Sequence, residues 1–329
     1  MSGNIVRLEA NDNMSNAFYD LVPEKYHDTE QFLNIVQWNI EYFGARKSTG
    51  KDQRRISIVT DILVAFNADL FIFQEVAGPS KDGRYPGALD GIAEELTRRG
   101  AGDYVVFYTT AGGEQRVAMM WDRDYLRAKG DVEDLFTRGT YTTDDGKDAF
   151  AGRAPLYGYF EAKLCKEGRF DFQALGVHLK AMDEGSPQRK KSAEVLAEWM
   201  KSSRKRIDAD ILIVGDWNAP PNAPEWTPIT KLKGVHFVDI NDKSDFSYLW
   251  LQNSTNKYVS RIDLSALSLS SETPVPSKAA QAVRWRPIEE ALARASRMTD
   301  SSVRRVLSEI KETISDHLPT ITQFYFDGR

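Results

Sequence analysis

The stretch from Ile211 to Pro221, Ile-Leu-Ile-Val-Gly-Asp-Trp-Asn-Ala-Pro-Pro, constrains this chain more than any other. Four aliphatic residues run into Gly215, and Asp216 and Asn218 follow at once. A short apolar run bounded in this way predicts a strand buried on both faces. Gly215 is expected to end it through backbone freedom, and Pro220 and Pro221 to forbid its continuation. Asp216 and Asn218 then arrive at a strand's carboxyl end, two residues apart and expected to point the same way. A carboxylate and a carboxamide so held can position a water and a phosphoryl oxygen. Asp and Asn after Gly are also ordinary turn residues, and on this stretch alone a plain turn explains them equally well. What separates the two readings is repetition, because other apolar runs in the chain also end in acid, amide or imidazole.

The first of these is Phe32 to Ile40, a strand ending in Asn39 with Glu41 just beyond. Arg54 to Phe66 sets Ile56, Val59, Ile62, Leu63 and Phe66 on one helical face. Leu70 to Phe73 is a buried strand running into Gln74 and Glu75, and Leu89 to Arg99 is a second amphipathic helix closed by Gly100. Shorter strands follow at Tyr104 to Thr109, Arg116 to Trp121, Leu156 to Leu164 and Phe170 to His178. The loop from Gly139 to Gly152, rich in Gly, Thr and Asp, is expected to be mobile. Arg189 to Met200 is a helix with Val195, Leu196 and Trp199 inward. After the Gly215 strand come a proline-rich loop to Pro228 and short segments at Val235 to Ile240, Phe246 to Leu251 and Tyr258 to Leu269. Helices are predicted over Pro287 to Met298 and Ser301 to Thr313, then Ser315-Asp-His317 and a last strand, Thr320 to Phe326. Residues 1–30 are polar and weakly periodic, an N-terminal extension; residues 31–329 are expected to form one domain with a helical insertion at about 277–313. Strand–helix units followed by runs of strands predict an α/β protein of mixed sheets stacked between helices.

Composition narrows the class. A hydrophobic content of 41% beside 28% charged residues describes a soluble globular protein, and 329 residues suffice for one large core. No run approaches the ~18 apolar residues of a membrane span. The segment Met1 to Arg7 carries a charge and no apolar core, so no secretory signal is expected. The lone cysteine, Cys165, excludes an internal disulfide and suits a reducing, cytoplasmic compartment. The net charge of −5 argues against wholesale wrapping by nucleic acid but leaves room for a local basic surface.

The informative strand ends carry Asn39 with Glu41, Glu75, His178, Asp216 with Asn218, Asp263, and Asp316 with His317. Singly, each has a bland explanation: Glu75 a solvated acid, His178 a core histidine, Asp316-His317 a helix-to-strand turn. Asp263, inside Arg261-Ile-Asp-Leu264, is harder to dismiss, because an acid flanked by apolar strand residues needs a partner. Coincidence across the whole set is far less probable than any one of them.

The set resembles the endonuclease/exonuclease/phosphatase superfamily, which includes pancreatic-type deoxyribonucleases, abasic-site endonucleases, inositol-phosphate phosphatases and neutral sphingomyelinases. The matching segments, in the family's order, are Gln37-Trp-Asn-Ile-Glu41, Phe73-Gln-Glu-Val76, Val177-His-Leu-Lys180, Gly215-Asp-Trp-Asn218, Arg261-Ile-Asp263 and Ser315-Asp-His317. Weaker matches are Gln115 to Trp121 and Arg153-Ala-Pro155. The resemblance implies a four-layer α-β-β-α sandwich, two mixed β-sheets flanked by helices in the deoxyribonuclease-like manner, with the site between the sheets' upper ends. It also implies a magnesium (or manganese) ion, for which Glu75 is the first-choice ligand with Asn39 and Asp316 near it. Asp216 would align or deprotonate the attacking water, and Asn218 would hold that water or a phosphoryl oxygen. His317, oriented by Asp263, would hydrogen-bond the phosphate, with Asn39 and Arg153 as further phosphate contacts. His178 would sit across the phosphate and could protonate the leaving group. One departure bears on that role: where pancreatic-type deoxyribonucleases pair this histidine with a glutamate, the chain has Gln115, with Glu114 one residue off. A neutral amide stabilises an imidazolium less well than a carboxylate.

The resemblance is greatest to bacterial nuclease members and implies a metal-dependent phosphodiesterase, a nuclease on nucleic acid, DNA before RNA. The alternatives are a phosphatase or phospholipase C-type phosphoesterase on a small or lipid phosphate, and a non-catalytic binding module. The insertion adds Arg284, Arg286, Arg294, Arg297, Arg304 and Arg305. They are either a solvated face balanced by Glu289, Glu290, Glu309 and Glu312, or a flap that holds nucleic acid.

Overall fold

The computed structural model describes residues 22, 32–44, 52–163, 170–238, 246–249, 261–270, 277–283, 285–295 and 300–325. The N-terminal extension apart from Val22, together with Cys165, Arg284, Arg297 and Met298, lies outside the described residues. Strand β1 (Phe32–Phe43) runs parallel to β2 (Leu70–Val76), and antiparallel pairs carry the sheet on through β4 (Arg116–Asp122) to β3 (Tyr104–Tyr108). On its other edge β1 pairs antiparallel with β13 (Thr320–Tyr325), which pairs with β12 (Ser277–Ala282). The second sheet has the order β10 (Val235–Phe237), β11 (Asp263–Ser268), β9 (Ile211–Asp216), β8 (Phe170–His178), β7 (Leu156–Ala162) and β5 (Leu126–Ala128). A two-residue strand, β6 (Glu133–Asp134), also pairs with β7. Only β8 and β9 are parallel there, so both sheets are mixed.

Strand periodicity explains the layers. Successive side chains alternate between faces, and the buried residues sort accordingly. Leu33 and Ile35 of β1, Leu70 and Ile72 of β2, Phe170 and Phe172 of β8, Leu212 and Val214 of β9 and Phe324 of β13 meet between the sheets. The alternate residues Val36, Trp38, Ile40, Phe71 and Phe73 face outward under helices α1 (Asp52–Phe66), α2 (Asp90–Arg98), α4 (Arg286–Arg294) and α5 (Ser301–Thr313). Leu175, Val177, Ile211 and Ile213 face outward under α3 (Ser186–Arg206) through Ala193, Leu196 and Met200. Two mixed sheets are thus flanked by helices.

The inner face changes character along its length. Continuing the same alternation, Leu33 and Ile35 lead to Gln37 and Asn39, Leu212 and Val214 lead to Asp216, and Phe172 and Ala174 lead to His178. Midway, Ser265 Oγ and Thr322 Oγ1 hydrogen-bond at 3.0 Å. One end of the interlayer is therefore hydrocarbon and the other polar, at the carboxyl ends of the parallel strands.

Several expectations are corrected. Gly215 does not end its strand but stands within the ladder, opposite Val177 and Leu264, with φ 150°. A Cβ there would lie 2.0 Å from the Val177 carbonyl oxygen, so glycine serves the close approach of β8. The loop from Gly139 to Gly152 is tied down rather than loose. Asp148 accepts from Gly139 N and Gly152 N, Gln188 Nε2 donates to Asp148 O, and buried Phe150 stacks on Phe136 at 5.2 Å. The stretch expected to be helical from about 277 opens instead with β12, and helix begins at Arg286. Helix α3 extends beyond its predicted range at both ends, since its outer turns are polar and carry no apolar stripe. Among the described residues no helix is long and apolar enough to cross a membrane.

Gly215→Ala should cost at least about 3 kcal/mol in denaturant unfolding, combining a strained backbone with overpacking. Wild-type stability in that variant would contradict the strand-crowding explanation.

Candidate active site

The polar end of the interlayer collects the strand-end residues. His317, in the turn before β13, directs Nδ1 at Asp263 Oδ2 at 2.8 Å, and both side chains are buried. The turn is built to hold them. Ser315 Oγ donates to Asn39 O at 2.8 Å and accepts from His317 N at 3.1 Å. Trp38 Nε1 donates to His317 O at 3.0 Å. Ser247 Oγ accepts from the amides of Ile262 and Asp263 at 3.2 and 3.1 Å, fixing the start of β11.

Asp216 stands beside this pair, its Oδ2 4.0 Å from His317 Nε2 and 3.7 Å from His178 Nε2. It accepts from Asn39 Nδ2 at 3.1 Å and from Asn218 N at 2.9 Å. Trp217 anchors the stretch from below, edge-on to Trp226 at 5.2 Å and donating to Leu264 O at 3.0 Å. Asn218 lies beyond the strand, which stops at Asp216, and takes φ 55°. Its Nδ2 donates to Leu179 O at 3.0 Å.

Glu75 faces the same space, 3.4 Å from Asn39 Nδ2 and 3.6 Å from His178 Nε2. Arg153 Nη1 meets His178 Nε2 at 2.7 Å, and its Nη2 donates to Leu179 O at 2.7 Å, while buried Nε has no partner. Asp316 lies at the rim, 3.8 Å from His317 Nε2 and 3.9 Å from Lys311 Nζ of α5. Glu41, Tyr42, Glu75 and Asn218 all have φ between 43° and 60°. Strained non-glycine backbone concentrates where surrounding structure over-determines it, commonly at functional sites.

Burial and charge set the protonation states. For His317, burial alone pulls the imidazole down, but the Asp263 carboxylate, with Asp216 and Asp316 adding to it, reverses this and pushes it up to about 10. His178 goes the other way: burial, then Arg153 and His317, hold it well below the ordinary histidine value. Burial pushes Asp216 up to about 7, with Asp263 adding and His317 opposing. Glu75 is raised chiefly by burial, and Asp316 adds to it. The two buried histidines of the site are thus driven in opposite directions, His317 up and His178 down. Gln115 is engaged with Tyr42.

Asp216, Asp263 and His317 offer atoms within 4.8 Å of one another, a spacing that suits a metal. There His317 Nδ1 already meets Asp263 Oδ2 at 2.8 Å, so the two are engaged with each other. Glu75 offers a separate place for a cation. It is a desolvated carboxylate whose one hydrogen bond to Asn39 is long, with Asp316 raising it further. Oxygen ligands of this kind suit magnesium or manganese.

The sequence missed Ser247, Tyr248 and Lys311. Tyr248 lies 4.8 Å from the His317 ring, and Lys311 Nζ sits 6.0 Å from the Tyr248 ring. Only tertiary pairing brings them in, and no spacing in the sequence announces it.

Two pH effects follow for the metal-free protein. The raised His317 contributes stability fully present below about 6.5 and lost as pH climbs to about 10. The raised Asp216 favours the fold below its usual value of 3.8, and that contribution disappears as pH rises through about 7. In chelator at pH 8, Asp216→Asn should therefore melt at or above wild type. A clearly lower Tm would show that the buried charge is not a burden.

No protein-family model and no curated protein matches the sequence. Solved structures do. An endonuclease/exonuclease/phosphatase from Bacteroides vulgatus is 14% identical with a TM-score of 0.59, over 91% of this chain and 100% of that one. A mannosyl-6-phosphatase of Bacteroides thetaiotaomicron is 16% identical with a TM-score of 0.57, over 89% and 100%. The D. rerio TDP2 complexed with single-strand DNA product is 16% identical with a TM-score of 0.55, over 90% and 99%. The chain therefore has the fold of the endonuclease/exonuclease/phosphatase structures.

Proposed function

We propose that this protein is a divalent-metal-dependent phosphoester hydrolase and, more narrowly, a nuclease that cleaves nucleic-acid phosphodiesters, DNA before RNA. The observation that carries the reading is the meeting of a charged imidazole, an arginine and separate buried carboxylates at one end of the interlayer. A phosphodiester needs donors for its non-bridging oxygens, a base for its water, and neutralisation of a departing oxygen. A module that only binds has no use for the full set.

Glu75, Asn39 and Asp316 would hold magnesium or manganese, which supplies charge neutralisation for the phosphoryl and leaving oxygens. His317, kept protonated by Asp263, donates from Nε2 to a non-bridging phosphate oxygen. Asp216, titrating near neutrality, takes a proton from the attacking water. Asn218, fixed to the Leu179 carbonyl, leaves its amide oxygen to orient that water. Arg153 holds His178 and directs its remaining donors toward phosphate. Neutral His178 is assigned to bonding the phosphate's surroundings, not to protonating the leaving group. The likeness to D. rerio TDP2 complexed with single-strand DNA product supports a nucleic-acid substrate. The likeness to the mannosyl-6-phosphatase supports the second reading, a phosphomonoesterase.

The helices α4 and α5 spend Ile288, Ala291, Val303, Leu307 and Ile310 on the outer core, and Arg294 pairs with Glu290 at 3.4 Å on the surface. Lys311 lies beside the site, 3.9 Å from Asp316, and is assigned as a contact to a flanking phosphate.

Assays with bis(p-nitrophenyl) phosphate, plasmid, single-stranded DNA, RNA and a phosphomonoester test the reading. Diester cleavage should require magnesium or manganese, and Glu75→Gln should lower rate and metal dependence together. Full turnover in excess chelator contradicts the metal, and turnover of the monoester alone favours the second reading. Lys311→Ala should raise KM for long DNA several-fold, flatten the salt dependence by about one unit of slope and spare the small diester. Equal loss on both substrates would remove Lys311 from the nucleic-acid path.

A further inference from the structure

We propose that Gln37 is a positioning residue that fixes the Asp263 carboxylate for His317 from the opposite sheet, an inference that rests on the phosphoesterase reading above. Gln37 lies fully buried on the inner face of β1, one alternate position before Asn39. Its Nε2 donates to Asp263 Oδ1 at 2.9 Å and to Gln74 Oε1 at 2.6 Å. Its Oε1 accepts from Thr320 Oγ1 at 2.8 Å. Thr320 is its cross-strand partner on β13, so the hydroxyl sets which way the amide faces. Donation from Thr320 to the oxygen leaves the NH2 group for the carboxylate.

A carboxylate held at one oxygen can swing about its Cβ–Cγ bond. Asp263 is held at both: Oδ2 by His317 Nδ1 at 2.8 Å, and Oδ1 by Gln37 across the interlayer. The plane of the carboxylate, and with it the direction of the imidazole, is then set by the first sheet as well as the second. Stability gives a poor account of the arrangement. Gln74 Nε2 remains buried with no partner, and an orphan donor of that kind disfavours the folded state. An apolar pair in the same volume would avoid it, whereas alignment of the acid requires the amide.

The test uses the full chain with manganese and bis(p-nitrophenyl) phosphate. Gln37→Met should lower kcat about 10- to 100-fold with KM within about twofold, as misorientation of a reacting group does. Thr320→Val, isosteric and free only to loosen Gln37, should lower kcat in the same direction but less. In an Asp263→Asn background Gln37→Met should cost little more, because both changes remove one unit. Additive losses, or losses carried by KM, overturn the proposal. The proton between His317 and Asp263 gives a second readout by NMR, independent of turnover. Its low-field resonance should move or vanish in both single variants, and an unchanged resonance overturns the proposal. If the wild type hydrolyses no phosphoester, the functional reading fails while this resonance still decides the role of Gln37. If Gln37→Met does not fold, Thr320→Val carries both readouts.

Discussion

The site depends on one buried hydrogen bond, the 2.8 Å contact between His317 Nδ1 and Asp263 Oδ2. An imidazole sealed from water loses its charge unless something stabilises it, because burial disfavours the charged form. Here a carboxylate does so, and the pair must then be satisfied on every side, since breaking one partner of a buried ion pair strands the other. That requirement explains the dense packing of polar groups around it. Ser315 and Trp38 hold the backbone of His317, and Ser247 holds the backbone of Asp263.

A second consequence is the opposition of the two histidines. Burial pulls both down, but the hydrogen-bonded Asp263 carboxylate reverses this for His317, whereas Arg153 and His317 add to the effect of burial on His178. Environments that push like groups apart assign them different roles. Asp216, between them, is left as the group nearest to neutrality.

Much of this was legible in the sequence, for a simple reason. Period-two alternation puts Leu212, Val214 and Asp216 on one face, as it does Ile35 and Asn39, so a strand-end acid after apolar residues had to face the interlayer. The strands and the flanking helices were readable from the same periodicities. The rest failed where local pattern has no bearing. Asn218 departs from strand geometry into a left-handed conformation, so the strand period does not extend to it. Gly215 was read as a terminator, but its role is set by a neighbouring strand's carbonyl. The loop around Asp148 looked free by composition and is held by side-chain bonds from its own acid and from Gln188. Ser247 lies outside every motif, and Lys311, though near Asp316 in sequence, sits on a helix whose facing no motif announces.

The central claim is that Asp263 keeps His317 charged inside the interlayer. Its most direct test is the titration of the His317 ring followed by NMR in the metal-free protein, wild type against Asp263→Asn. The account predicts an imidazolium that persists well above neutrality in the wild type and a midpoint displaced downward in the variant. A wild-type midpoint near the ordinary histidine value, unmoved by the substitution, would contradict it.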